Sequence, residues 1–482
     1  MNKSITKNLI LNMIKTVMSI IFPMITLSYA SRVLGVNGSG KVSYGDSIIS
    51  YFVLIAALGI SAYGIREVAK VKESQEKMNQ LVVELLAINV VTCIITYVLL
   101  GITLQMPMFG EYRKLLIIQS TTILLNTIGV EWLFSALEEY AYITIRSIIF
   151  QIAAIILMLI FVKNPDDYCK YAAICVFASS GSQILNLWYS RKFVSINITN
   201  ITNIKIHLKP IFIIFGTNIA SVVYMSLDTT MIGMIRNVDE VGLYSAAVKI
   251  VKIISTLLAS ISTVMLPRMS YYIENKKSKE YESLLEDSTN YTMMISIPCA
   301  IGLIVVSKDV IRMFSGTKFE EAYIALGILA FNQIFSSIDR ILAWQVLMPI
   351  RKEKIVLFST IIGAGCNFLL NMGIIEVLGY NGAAITTVLS EIIVFFVLIM
   401  FCRKRVNIVK MFRYTWQYIL GATVIVIVGV LVNKYINIII MRLIFNIIFS
   451  VIGYAVILIL LKNQYLNQLF SSIKKIGRRI IG

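Results

Sequence analysis

Long apolar runs recur from one end of this sequence to the other, and no other feature limits its folds so sharply. A helix needs roughly 20 apolar residues to cross a bilayer, and against that ruler about fourteen runs stand out. They fall near residues 9–31, 43–63, 80–104, 113–134, 142–162, 171–189 and 211–235. The series continues near 242–266, 290–307, 322–347, 355–378, 382–402, 415–433 and 440–461. Strict alternation, the mark of membrane β-strands, is absent, so the reading is an all-α polytopic membrane protein. Composition agrees: 58% of the 482 residues are hydrophobic and 15% charged, against about half and about a quarter in soluble domains. The first run is longer than a signal-peptide core and lacks a small-residue cleavage pattern, so it reads as a retained span.

The net charge of +18 could suggest a nucleic-acid partner, but its distribution gives a different meaning. With an even number of spans and both termini inside, the cytoplasmic segments hold 28 of the 44 basic residues. Clusters such as Arg66–Lys77, Arg351–Lys354 and Arg403–Arg413 make up much of that excess. This is the positive-inside pattern, which predicts cytoplasmic N- and C-termini and leaves no reason to invoke nucleic acid. Six scattered cysteines form no CxxC, and the single histidine, His207, is placed in a cytoplasmic loop. No metal knuckle, redox pair or multi-histidine centre is indicated.

One motif tests that picture. Gly35 to Lys41 reads GVNGSGK, the spacing of a phosphate loop, but Val42 stands where a magnesium-coordinating Ser or Thr belongs. The stretch joins two spans and follows no β-strand, so nucleotide binding is rejected. It has echoes: LGVNG at 34–38 reappears as LGYNG at 378–382, and IGMIRNVDEVGLYSAA at 232–247 aligns Gly242 with Gly40. The reading is a glycine turn used repeatedly, since glycine accepts positive φ and small residues let helix ends approach. Copies six spans apart share one orientation, which predicts two six-helix lobes as parallel repeats around a cleft, with two additional C-terminal helices. The expected boundaries are 1–207 for the N-terminal lobe, 208–405 for the C-terminal lobe and 406–482 for helices 13–14 with a basic tail.

Five segments together carry a resemblance: SRVLGVNGSGKVSYGDSIISY at 31–51, GISAYGIREVA at 59–69, GVEWLFSALEEYAYITIRSI at 129–148, DTTMIGMIRNVDEVGLYSAAVKI at 228–250 and LGYNGAAITTVLSE at 378–391. With them the chain resembles, over essentially its whole length, the Wzx-type oligosaccharide flippases. These form the polysaccharide-transport branch of the multidrug/oligosaccharidyl-lipid/polysaccharide exporter superfamily. The resemblance implies a non-enzymatic transporter in the bacterial cytoplasmic membrane that flips undecaprenyl-diphosphate-linked oligosaccharide for O-antigen or capsule assembly. It also implies a polysaccharide polymerase and a chain-length regulator as partners. The competing readings are a drug/cation antiporter of the same superfamily and a membrane glycosyltransferase or polymerase. The latter lacks an extended loop with paired carboxylates.

Embedded charges are the site candidates, because ionisable groups inside a membrane are costly and mark pathways. Lys249, Lys15, Lys252 and Arg340 are the cationic set expected to meet a diphosphate, with Lys249 foremost. Lys15 alternatively snorkels to the cytoplasmic edge. Asp228 either pairs with Lys249 or Lys252 or binds a coupling proton or sodium. Asp46 and Glu131 share that ion-coupling or charge-pair role, and Glu131 with Arg146 is alternatively a structural ion pair. Glu84 is read as solvated near a span end. Pro23, within the first run, is the hinge candidate.

Overall fold

With no water to satisfy a backbone in the hydrocarbon, each crossing segment must close its own hydrogen bonds, and helices follow. The computed structural model describes residues 5–195 and 203–468; the side chains of 5–16, 19 and 20 fall outside that description. Every regular element among the described residues is helical. The chain is a multi-pass membrane protein: ten helical stretches among the described residues are long and apolar enough to cross a membrane.

Two compact units divide the chain, residues 1–242 and 243–482. The first contains α1 (Ile5–Ala57), α2 (Ile60–Val71), α3 (Gln75–Thr103), α4 (Arg113–Ile128), α5 (Glu131–Ala136), α6 (Tyr140–Phe161), α7 (Tyr168–Val176), α8 (Gln183–Ser190), α9 (Lys205–Ile235) and the start of α10 (Val238–Glu274). The second contains the rest of α10, α11 (Ser278–Ser315), α12 (Tyr323–Ile341), α13 (Glu353–Cys402), α14 (Ile408–Met411), α15 (Thr415–Tyr435) and α16 (Ile439–Leu460).

Two membrane stretches are double length: Ile21–Val71 has 51 residues and Glu353–Cys402 has 50. At about 1.5 Å per residue each is more than twice as long as the ~30 Å hydrocarbon layer. Within them, α1 and α13 each contain a single glycine outside helical geometry, Gly35 (φ 68°, ψ −169°) and Gly379 (φ 58°, ψ −142°). These are the second residues of LGVNG and LGYNG. The expected turn is therefore a one-residue kink, with helix resuming on both sides. Other expected spans are interrupted: α4 stops after 16 residues, and a π-turn at Phe177–Gly181 separates α7 from α8.

In the first unit α2 buries Ile60, Tyr63, Gly64 and Val68 and turns Arg66 and Lys70 outward. Its inward face joins a core with Leu85, Leu133, Phe134, Ile143 and Ile211. Two readings at this end are corrected. Glu84 is 2% exposed, not solvated, and His207 sits buried in the first turn of α9. His207 Nε2 lies 2.7 Å from Glu84 Oε2, its Nδ1 lies 2.8 Å from the Tyr63 hydroxyl, and Asn203 N donates to Glu84 Oε1 at 3.0 Å. Because α3 runs unbroken from Gln75, Glu84 lies deep enough to need those partners. The second unit packs around Met293, Ile341, Leu347, Tyr418 and Leu458.

Candidate functional site

A cavity of about 380 Å³ lies inside the first unit. Two helix breaks open it. α1 ends at Ala57, after which Leu58 and Gly59 both take positive φ (42° and 84°) and redirect the chain into α2. α4 ends at Ile128, and Val130 takes φ 39°, ψ 37° before α5 begins. A β-branched residue in that region is a genuine outlier that costs about 1–3 kcal/mol and persists only when its surroundings hold it. Val130 is 1% exposed and wedged in the core. The consequence is that Glu131, the next residue, points to the cavity instead of continuing α4.

The apolar wall comes from the ends of α1 and α4 and the start of α2: Val53, Ala56, Ile60, Ile65 and Ile123. The polar lining is Ser61, Asn89, Asn126, Thr127, Glu131, Ser135 and Gln183, with Trp132 beside them. Trp132 is fixed from behind by Gly64, where a Cβ would fall 2.6 Å from the indole ring. Gly129 does the same for Gln183, whose Oε1 lies where a Cβ at 129 would be only 2.2 Å away. That approach lets Gln183 Nε2 donate to Glu131 Oε2 at 2.8 Å, while Asn186 Nδ2 donates to Gln183 Oε1 at 2.7 Å.

Arg146 completes the support. Its Nη2 donates to Glu131 Oε2 at 2.9 Å, its side chain is 4% exposed against 34% for Glu131, and its guanidinium sits 5.6 Å from the Tyr142 ring centroid. The expected pair is thus present, with the cation buried and the carboxylate on the cavity side. Asn89 is 6% exposed; its Nδ2 donates to Thr127 O at 3.3 Å, and its Oδ1 has no donor among the described residues.

A second polar seam joins α1 to α9. Thr230 donates to Ser47 Oγ at 3.0 Å, Ser50 donates to Ser226 at 2.9 Å, and Tyr51 OH lies 3.2 Å from Thr230 Oγ1. Asp228 belongs to this seam, 6% exposed and within electrostatic reach of Tyr51. Asp46 is exposed on α1 and accepts from Gln119 Nε2 at 2.6 Å. Along α10, Lys249 is half-buried and Lys252 exposed; neither enters an ion pair among the described residues. Arg340 is partly buried on α12 and feels the Glu391 carboxylate of α13. The Lys15 side chain lies outside the described residues. Through Pro23 the backbone of α1 stays helical, with Thr26 Oγ1 donating to Phe22 O at 3.0 Å; the break comes at Gly35.

Sequence reasoning found Glu131 and Arg146 and missed Asn89 and Gln183. Asn89 was readable in principle, as a lone amide in the run AINVV, since polar groups at that depth call for a partner or a role. Gln183 had no local signal, because its place depends on a glycine 54 positions earlier.

Comparison with known proteins bears on the whole chain. The family model described as "Polysaccharide biosynthesis protein" matches residues 5–273, just over half of it, and the MatE model matches 214–372. A putative O-antigen transporter of Escherichia coli (strain K12) is 24% identical over 394 residues, covering 80% of this chain and 93% of that protein. The probable low-salt glycan biosynthesis flippase Agl15 of Haloferax volcanii is 26% identical over 174 residues, 36% of this chain and 37% of its own. Among solved structures, the lipid II flippase MurJ in an inward closed conformation superposes with a TM-score of 0.69 at 17% identity, covering 95% of this chain and 100% of that one. At that identity the likeness is one of fold.

Proposed function

The chain belongs to the polysaccharide biosynthesis protein family, and from that membership we propose that it is a Wzx-type flippase that moves lipid-linked oligosaccharide across the membrane. The observation that carries the reading is the match to an O-antigen transporter over nearly all of that protein's length. The chain is then a transporter and not an enzyme: it provides a path for a polar headgroup while the lipid tail stays in the bilayer. The proposed substrate is an undecaprenyl-diphosphate-linked repeat unit, taken up in the bacterial cytoplasmic membrane by alternating access. Polymerase and chain-length regulator would act on the product. The basic residues of α2 and of the connections at 351–354 and 403–413 support cytoplasmic termini. In that orientation the Glu131 cavity sits in the cytoplasmic half, where the loaded lipid arrives.

Lys249, Lys252 and Arg340, with Lys15, are proposed to meet the diphosphate. A half-buried lysine with no described ion pair, as at Lys249, suits an incoming anion. Asp228 and Asp46 are proposed to hold a coupling proton or sodium. One observation favours a second reading: the MatE match at 214–372 fits a drug/cation antiporter.

Complementation separates the two. In a bacterium lacking its own O-antigen flippase, the wild type should restore surface polymer, and Lys249→Ala at equal membrane abundance should lose it. Drug or dye efflux without polymer would overturn the flippase reading. Polymer restored equally by wild type, Lys249→Ala and Asp228→Ala would keep the flippase and discard the assigned charges.

A further inference from the structure

We propose that the Glu131 cavity is a subsite for the neutral sugar headgroup, where hydroxyls are read by Asn89, Asn126, Gln183 and Glu131. This rests on the flippase reading and assigns a part of the substrate to one place in the first unit.

Charge excludes the other components of such a lipid. No lysine or arginine is among the described residues lining the cavity, so a diphosphate would find no cationic partner there to offset its desolvation. A coupling cation is also poorly served, because Arg146 already matches the Glu131 charge at 2.9 Å. What remains is near-neutral and rich in amides and hydroxyls, opposite an aliphatic wall. A sugar presents that same combination, hydroxyls at its rim and C–H groups on its faces. At about 380 Å³ the cavity is in the ~300–1,000 Å³ range of small-molecule sites, too small for a polyprenyl tail.

The strongest single indication is Asn89 Oδ1, buried at the cavity wall with no donor among the described residues. An unsatisfied buried acceptor is costly, and a hydroxyl donor from a ligand removes that cost. Glu131 is held from behind by Arg146 and Gln183, so its position is fixed before substrate arrives, which lowers the ordering cost of binding.

The test uses the purified full-length protein in nanodiscs and two probes: bare undecaprenyl diphosphate, and the same lipid bearing the repeat unit of the complemented host. Wild type should bind the glycan-bearing lipid more tightly. Asn89→Leu should weaken that binding by about three- to tenfold and leave the bare lipid unchanged. Asn126→Leu, at an exposed position where folding is spared, should act in the same direction. Equal wild-type affinity for both lipids would overturn the subsite while polymer restoration kept the flippase standing. Thermal stabilisation by sodium alone, lost in Glu131→Gln, would make the cavity an ion site and also overturn the proposal. If neither lipid binds and no polymer appears, the flippase reading fails and the subsite with it.

Discussion

LGVNGSG at 34–40 and LGYNGAA at 378–384 place the same kink in α1 and in α13, yet the two stretches face different surroundings. Gly35 and Gly379 adopt nearly the same glycine-favouring backbone. Five residues later lies the difference that matters for packing: Gly40 in one corresponds to Ala384 in the other. A Cβ on Gly40 would lie 1.8 Å from Val238 O, and one on Gly242 would lie 2.3 Å from Val36 O, so two backbones touch there. Ala384 is fully buried and carries its methyl without difficulty. The lesson is that a repeat conserves the demand on the backbone, while its neighbours decide which side chain fits.

Exchanging the two residues is the strongest way to break the comparison. Gly40→Ala makes the first copy read like the second, and its methyl meets a backbone oxygen that cannot rotate away. Destabilisation of about 3 kcal/mol is expected, read as an earlier thermal unfolding of purified protein in detergent. A Gly40→Ala protein as stable as wild type would mean that α1 and α10 do not approach through backbone contact.

Next come Gly35→Ala and Gly379→Ala. Nothing lies within 4 Å of a Cβ at Gly35, so its cost is purely conformational, about 1–3 kcal/mol for a non-glycine residue in that region. The same backbone demand at Gly379 predicts a loss of similar size. Loss at one and tolerance at the other would dissolve the equivalence of the kinks. Ala384→Gly should be milder, about 1 kcal/mol from added chain freedom and one missing buried methyl. Loss beyond that would reveal a packing role for Ala384 that Gly40 does not share.

Those positions also mark where the sequence stops being informative. Helical class, the repeated glycine motif and the Glu131–Arg146 pair were legible because each depends on local period, on backbone chemistry or on charge in an apolar run. The contact of Gly40 with Val238 was not, since nothing near residue 40 names its partner. Glu84 was misread for a related reason: it lies four residues past the polar stretch QEKMNQ, near the end of an apolar run, but α3 carries it beneath His207 and Tyr63. The cavity escaped because it needs a valine in the left-handed region at 130, a choice against propensity that only tertiary packing imposes.

The smallest expected effect concerns what each kink leans on. A Cβ at Gly38 would lie 3.1 Å from Pro165 O, so the first kink rests on the turn Pro165–Asp167. Its counterpart, Gly382, would meet Ile374 O at 2.6 Å, within its own helix pair. Asp167 holds the turn: its Oδ1 pairs with Lys170 Nζ at 2.7 Å, and its Oδ2 accepts from Lys163 N at 2.9 Å and Asn164 N at 3.0 Å. Lys170 first, then these two N–H groups, lower the Asp167 pKa to about 2, against about 3.9 for a free aspartate. A depressed carboxylate contributes stability that is present above the unfolded pKa and lost as pH falls through the folded one. Because Lys170 is 59% exposed, solvent and salt screen this pair, so Asp167→Asn should lower the unfolding temperature only slightly, by less than Ala384→Gly, with a nearly constant difference from neutral pH down to about 4. That difference should shrink between roughly pH 4 and 2 and vanish below, where wild type has also lost its charge. A difference unchanged at the lowest pH would show that the turn is held by its backbone shape alone, and that the first kink, like the second, is supported without a charge.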